Sequence, residues 1–446
     1  MSDGSPGPEQ PAGRPHSPIL TRNFVLGVLN GTLFMSTTRL VDPGALLSLL
    51  ILRLTDSPQM IGVMAFASSL GWFWPAVFVA NRAGNRPRKL SIYRDMAVVR
   101  IILLWVAAFV TFSRLAEGAP VLLFWLLALT AFGQNSASGI AYVPFMEVVG
   151  KSVAPEHRGL FLGLRFSSAE LLGIGVAALA GYFLSDASGL RYPANFGWML
   201  SLAALLQSAS MIMFILIREP KGAVESRRFS FPVFLTRGIR FFRRDRSLRN
   251  FTALRLMNSF ASMSMPFMAA FATQELGVAD STIGYFMGVA AGGALIANLV
   301  WGRVGDRRGN RVVMIAFAAL SIIPAVVSLA AATLPASRVA LPVLGAPDLR
   351  VVLVGVVFLL GGLTGPGRQF GEANYILDLA PERRRSAYLG ISHTLSAPQT
   401  LVPILAGWVA EDASYAILFG ATAIFAALTT ALAITGLHEP RKAALV

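Results

Sequence analysis

Gly302-Arg303-Val304-Gly305-Asp306-Arg307-Arg308-Gly309-Asn310-Arg311 is a short, charged turn between two long apolar runs. Gly302 removes a side chain where two helices could approach closely, and Gly309 permits a tight turn. Asp306 stands at a helix end, where it can pair with arginines or accept bonds from a neighbouring helix N-terminus. The turn is also a copy. Asn81-Arg82-x-Gly84-Asn85-Arg86 has the same layout one repeat earlier, with Asn81 in place of the aspartate and Val77 in place of the leading glycine. Other matches fall in the same register: Arg22-Asn23-Phe24 with Arg249-Asn250-Phe251, Asn30 with Asn258, Ala154-Pro155-Glu156-x-Arg158 with Ala380-Pro381-Glu382-x-Arg384, and Ala180-Gly181-Tyr182 with Ala406-Gly407-Trp408. All lie about 225 to 228 positions apart, which marks a duplicated half. In membranes, two similar halves around a shared site are the layout of secondary transporters.

Composition places the chain in a bilayer. Of its 446 residues, 55% are hydrophobic and 14% charged, against about 25% charged in soluble domains. Apolar stretches of the length needed to cross a bilayer recur along nearly the whole chain. Residues 1–21 are rich in Pro, Gly and Ser and read as a disordered tail with no cleavable signal. There is no cysteine, and the histidines (His16, His157, His393, His438) have no zinc-like spacing. No metal or cofactor is expected.

Twelve spans follow. The first half gives 23–50, 57–81, 90–113, 120–149, 158–184 and 192–217; the second gives 250–274, 280–303, 311–334, 350–378, 386–410 and 414–437. The first span is read as one helix kinked at Asp42-Pro43-Gly44, because lipid-exposed backbone must satisfy itself internally. The fourth is interrupted in composition, though not in length, by Gln134-Asn135-Ser136. Basic residues crowd alternate loops: Arg82, Arg86, Arg88 and Lys89; Lys151 and Arg158; a run from Arg218 to Arg249; Arg303, Arg307, Arg308 and Arg311; and Arg383 to Arg385. The opposite loops carry single arginines such as Arg53, Arg114 and Arg191. The positive-inside rule then puts both termini in the cytoplasm. The same distribution accounts for the +15 net charge without a nucleic-acid partner. Residues 218–249, where Phe229, Phe231, Phe234 and Phe241 alternate with arginines, read as a basic amphipathic linker on the cytoplasmic leaflet.

The turn at 302–311 closely resembles the loop motif of the major facilitator superfamily, and the two Ala-Pro-Glu loops resemble that family's later inner connections. The resemblance covers about residues 22 to 440. It implies an all-α membrane protein with twelve transmembrane helices in two pseudo-symmetric six-helix bundles, 22–217 and 250–438, ahead of a short tail, 439–446. It also implies a central cavity lined by helices one, four, seven and ten that opens alternately to each side. On this reading Asn81, Arg82, Gly84, Arg86, Gly302, Asp306, Arg307, Gly309 and Arg311 form a conformational latch. No phosphate-binding Gly-x-x-x-x-Gly-Lys-[Ser/Thr] loop is present, the fifth span lacks the Gly-Pro-rich motif of drug antiporters, and no nucleophile–base pair suggests an enzyme.

Ionisable groups at membrane depth cost about 2.5–3.5 kcal/mol on insertion scales and default to functional candidates. The lining helices offer Asn30, Arg39, Gln134, Asn135, Arg255, Asn258, Arg368 and Glu372 as cavity residues. Asn30 lies about 10 Å along the first helix and Asn258 about 12 Å along the seventh, so the repeat predicts that they face each other. Arg39 and Asp42, at i, i+3, can neutralise each other. Arg368 and Glu372, at i, i+4, read either as an ion pair bracing the tenth helix below the Gly361-Gly362-x-x-Gly365-Pro366-Gly367 break or as a binding or coupling pair. Glu170 is the lone carboxylate for ion coupling, with Asp42 a second candidate. A buried acid can load a proton on one side and release it on the other. The expected function is a monomeric secondary transporter of the bacterial inner membrane, moving a small polar or charged solute, in or out, on a proton or other ion gradient. The alternative is a non-transporting sensor or scaffold that keeps the fold.

Overall fold

A computed structural model describes residues 18–42, 44, 46–75, 88–153, 157–220, 236, 239–240, 242–340, 345–380 and 385–439. These are almost entirely helical. In the first half they form α1 (Pro18–Val41), α2 (Leu46–Thr55), α3 (Pro58–Phe73), α4 (Leu90–Thr111), α5 (Pro120–Ser152), α6 (Arg158–Phe183) and α7 (Ala194–Ile215). The second half gives α8 (Arg246–Ala261), α9 (Met268–Gln274), α10 (Asp280–Arg308), α11 (Asn310–Thr333), α12 (Leu349–Leu379), α13 (Arg385–Ser396), α14 (Val402–Asp412) and α15 (Tyr415–Gly436).

Local chemistry sets many of the boundaries. Pro58 and Pro120 open α3 and α5 at their first turns, where a missing N–H costs nothing. Asp245 caps α8 by accepting from the N–H groups of Ser247 (2.9 Å) and Leu248 (3.1 Å), and Ser414 caps α15 through Ile417 N–H. Large apolar side chains such as Phe109, Leu129 and Ile424 are exposed on the outside of the helices, the surface a lipid environment covers.

Eight stretches of the described residues are long and apolar enough to cross a membrane by length and composition. The other expected spans have identifiable interruptions. Residues 76–81 of the second lie outside the described residues. The third, α4, carries Arg94, Asp95 and Arg100. The seventh is divided by a 3-10 turn, Met265–Phe267, and the eleventh by another, Ala397–Leu401.

Two helix expectations are corrected. The first span is two helices and not one kinked helix: the chain leaves α1 before Asp42, whose Oδ1 accepts from Gly44 N–H at 2.7 Å. That local bond substitutes for the helical one, and Pro43 has no N–H to continue the ladder. The tenth span runs the other way, since α12 stays helical through Gly361, Gly362, Gly365, Pro366 and Gly367. There the glycines serve packing. A Cβ on Gly367 would meet Trp301 at 2.7 Å, and Trp301 Nε1 donates to Leu363 O at 2.9 Å beside the proline. The fourth span, α5, is continuous through Gln134, Asn135 and Ser136. Their side chains find partners within the protein: Asn135 and Ser136 bond back to carbonyls one turn earlier, and Gln134 accepts from Gln207.

Packing follows the repeat. In the first half α1 packs on α6 and α7, and α4 on α5 and α7; in the second α12 packs on α10 and α11, and α15 on α8 and α11. The halves meet where α3 crosses α14 and where α6 crosses α10. Both crossings are made by glycine. At the first, a Cβ on Gly407 would meet Gln59 Cα at 2.9 Å, and one on Gly62 would overlap the Pro403 carbonyl. At the second, a Cβ on Gly284 would stand 2.5 Å from Gly181 Cα. Gly181 and Gly407 are the glycines of the repeated Ala-Gly-aromatic motif. The motif therefore lies at two of the places where one half touches the other. The chain breaks meet as well, with a Cβ on Gly44 falling 3.0 Å from Pro266 Cα.

Candidate functional site

In the first half a polar core is built from α1, α4, α6 and α7. Asn30 Nδ2 donates to Ser210 O and Oγ, both at 2.9 Å, and Ser210 Oγ donates to Asn30 O at 2.8 Å. Arg165 Nη1 donates to Asn30 Oδ1 at 3.0 Å and Gly27 O at 2.8 Å, and its guanidinium lies over the Phe145 ring at 4.8 Å. Gly31 leaves the space that the Arg165 side chain crosses. Arg100 lies over Phe34 at 4.9 Å and reaches Met211 Sδ at 3.5 Å, while its Nε is buried without a hydrogen-bond partner. Gln207 Nε2 ties this core to Gln134 Oε1 and Arg100 O, both at 3.0 Å. A cavity of about 50 Å³ lies beside it, lined by Ser68, Thr130, Gln134 and Asn135 among leucines.

The second half uses a carboxylate instead. Arg255 Nε donates to Glu372 Oε2 at 3.2 Å, and Asn258 Nδ2 donates to Glu372 Oε1 at 3.3 Å. Arg255 Nη1 also reaches Ser392 Oγ at 3.3 Å. Asn30 and Asn258 each direct their side-chain amide to partners within their own half. Glu372 turns toward α8 and so does not pair with Arg368 on its own helix.

The remaining intramembrane charges stand apart from these two networks. Glu170 is not a lone carboxylate, since it forms an ion pair with Arg39, with side-chain exposures of 14% and 21%. The expected Arg39–Asp42 pair is thereby displaced. Asp42 is exposed and occupied with Gly44 N–H, within electrostatic reach of Arg39 and Arg368. Arg368 is exposed and has no ion pair among the described residues. It shares an open strip of α12 with Gly365, where an added Cβ would meet nothing within 4 Å, and with Gln369.

On the side predicted to face outward, contacts cross between halves. Arg53 pairs with Asp280 at 3.1 Å. Glu411 accepts from Ser57 Oγ and, at 2.9 Å, from Gln59 N–H at the start of α3. On the predicted inner side the α10–α11 turn has Gly309 at φ 87°, the conformation its glycine was expected to supply. Arg311 donates to Leu437 O (2.8 Å) and Ile434 O (3.2 Å), fastening the end of α15. Asp306 is exposed. Gly302 is not a close-approach glycine, because an added Cβ there would meet nothing within 4 Å; Gly305, one turn on, faces Asn310 and Val313. The first copy of the turn, Asn81, Arg82, Gly84 and Arg86, lies outside the described residues. Its receiving residue is described: Glu219 accepts from Lys89 N–H (3.0 Å), Leu90 N–H (2.8 Å) and Lys151 Nζ (3.0 Å), capping α4. Glu439 stands correspondingly against Gly309 at the start of α11.

Sequence reading misses Arg100, Ser210 and Tyr93, whose hydroxyl accepts from Asn30 Nδ2 at 3.5 Å and donates to Met211 Sδ at 3.3 Å in the same core. Arg100 carried a usable signal, an ionisable group in the middle of a span. Glu219 and Glu439 carried another, since Glu219-Pro220 and Glu439-Pro440 each follow the last helix of a half.

Residues 252–445 match the Major Facilitator Superfamily. No curated protein matches the chain. Among solved structures, a bacterial homologue of the iron transporter ferroportin in an inward-facing state aligns with a TM-score of 0.67 at 17% identity, covering 94% of this chain and 99% of that one. A D-xylose–proton symporter aligns at 0.70 and 12%, covering 95% and 99%. A mutant of the nucleoside transporter NupG aligns at 0.67 and 13%, covering 94% and 100%. At these identities the likeness is one of fold, and it extends over both halves.

Proposed function

We propose that this chain, a member of the major facilitator superfamily and an integral multi-pass membrane protein, is a secondary active transporter that moves a small polar or charged solute by alternating access, coupled to a proton gradient. Its parts are then the two six-helix bundles 22–217 and 250–438, joined by the linker 218–249, with the tails 1–21 and 439–446 in the cytoplasm of a bacterial cell and the bundles in its inner membrane. The chain works as a monomer.

The observation that carries the reading is the division of the polar contacts. Each half holds its polar core with its own helices, while the polar contacts joining the halves among the described residues are few: the Arg53–Asp280 pair and the Glu411 cap, beside the two glycine crossings. Such an arrangement lets each half move as a body with its interior intact. Opening the outer side parts the Arg53 and Glu411 contacts and loosens the neighbouring crossing of α3 and α14 at Gln59 and Gly407. At partly exposed sites the polar contacts are worth on the order of 1 kcal/mol each, a size that a bound solute can shift.

Proton coupling falls to Glu170, with Arg39 as its partner and Asp42 nearby. Protonation of Glu170 leaves the Arg39 guanidinium without its counter-charge, and a guanidinium cannot shed its own proton. Arg39 would then seek Asp42, which lies just past the end of α1. Loading and release of one proton thus rearranges the charges between the halves.

Purified protein in liposomes with an imposed pH gradient should accumulate one class of solute. Glu170→Gln should abolish gradient-driven accumulation while sparing solute exchange at equal pH. A folded protein that moves nothing across a broad metabolite panel would instead be a sensor or scaffold of this fold.

A further inference from the structure

At mid-membrane depth the described helices and the break after α1 carry five arginines, Arg39, Arg100, Arg165, Arg255 and Arg368, against three carboxylates, Asp42, Glu170 and Glu372. Two of the carboxylates are already taken by Arg39 and Arg255. Residues 76–87 contain no Asp or Glu in the sequence that could redress the balance. A lysine in this position could discharge by losing its proton; a guanidinium cannot. The excess positive charge is therefore permanent, and in a medium of low dielectric it is costly unless an anion accompanies it.

The five arginines are not equivalent. Arg100 and Arg165 are buried, each only 5% exposed, and are held inside the first half by a carbonyl, an amide, a thioether and two ring faces. They contribute field but offer a solute no access. Arg368 is the exception, exposed on the open strip of α12 and without an ion pair among the described residues. An exposed arginine midway along a spanning helix faces a water-filled space and not lipid. Gly365, one turn earlier on the same strip, leaves room beside it, and Gln369 adds a donor. One turn later Glu372 has both oxygens engaged by Arg255 and Asn258, so it does not neutralise Arg368.

We infer that the solute is an organic anion whose negative group is bound by the Arg368 guanidinium on the open strip of α12. The inference rests on the transporter reading for the word solute, and on the charge balance for its sign. A fork of N–H donors matches a carboxylate, sulfonate or phosphate ester in two parallel bonds. Asp42, within electrostatic reach of Arg368, is the anion with which the solute competes.

The test is binding to the full chain in detergent, read as thermal stabilisation. The panel holds small carboxylates, sulfonates and phosphate esters, each beside a neutral amide or ester of the same shape. At least one anion should stabilise the protein while its neutral counterpart does not. Arg368→Gln should weaken that binding about tenfold or more, as expected for a lost charge-assisted pair, and Arg368→Lys should retain part of it. Asp42→Asn should tighten it. The unliganded melting temperature of each variant separates loss of binding from loss of fold. The inference fails if no anion stabilises the wild type more than Arg368→Gln, or if neutral or cationic solutes stabilise both alike. Anion binding through Arg368 without flux in liposomes would overturn the transporter reading alone. Accumulation of a neutral or cationic solute with no anion binding would overturn this one alone.

Discussion

The polar cores of the two halves occupy corresponding places and are wired differently. In the first half Asn30 joins α1 to α7 and receives Arg165 from α6, with no carboxylate present. In the second, Asn258 and Arg255 share α8 and both converge on Glu372 from α12. The scaffold around them is kept: paired glycine crossings, a glutamate after the last helix of each half, and a chain break at Gly44 that meets Pro266. Duplication has preserved the contacts that set shape while the charges have diverged. The first core, around Arg100 and Arg165, is left positive, and the second, where Arg255 meets Glu372, is neutral.

The shared scaffold should be the most sensitive part. Gly62→Val or Gly284→Val places side-chain atoms where neighbouring backbone already lies, and backbone cannot swing aside. Each should cost about 3 kcal/mol, the upper end of overpacking penalties, read as a marked fall in melting temperature. Gly302→Ala, in open space, should leave it unchanged. If Gly302→Ala proved as harmful as Gly284→Val, the assignment of the crossings would be wrong.

The cores should differ in their response to loss of an anion. Glu372→Gln leaves Arg255 beside a neutral amide and should destabilise by about 2 kcal/mol, less than a fully buried pair because Glu372 is partly exposed. The polar core of the first half has no carboxylate to remove, and Arg165→Met should cost less than Glu372→Gln, because a flexible apolar chain can fill the same space without an uncompensated charge. The reverse order would undo the contrast between a paired and an unpaired core.

Much of this frame is legible in the sequence, and the limit is instructive. The repeat located the turn at Gly309, and the apolar lengths located α5 despite Gln134, Asn135 and Ser136. What could not be read were partners. Glu170 appeared alone because its partner, Arg39, is 131 positions away. Arg368 appeared paired because Glu372 is one turn away, although Glu372 turns to another helix. Rules of spacing see only neighbours on one helix, and the charges of a membrane core are settled between helices. The same rules misjudged both irregular stretches: Asp42-Pro43-Gly44, read as a kink, ends the helix with a side-chain bond, whereas the glycine run read as a break in α12 stays helical with Ala290 and Trp301 packed against it.

Smaller effects test the helix ends. Glu219→Gln weakens the cap of α4 and releases Lys151, and should cost about 1 kcal/mol, visible as faster amide exchange in the first turn of α4. Asp348 gives the least. The Arg350 side chain and backbone N–H hold its carboxyl below the usual carboxylate range. A depressed acid stabilises the fold above its unfolded value and loses that contribution as pH falls through its folded one. The difference in melting temperature between wild type and Asp348→Asn should therefore be present at neutral pH and vanish in acid.

The absence of cysteine makes the central claim directly measurable. Spin labels on paired cysteines can report one distance on the predicted outer side, Ala187 to Ala336, and one on the inner side, Arg94 to Arg308, all exposed positions. In the double variant Asp280→Asn, Glu411→Gln, which removes the outer contacts between halves, the outer distance should lengthen and the inner one shorten together. An outer distance that lengthens with the inner one unchanged, or both moving in the same sense, would contradict alternating access by these two halves.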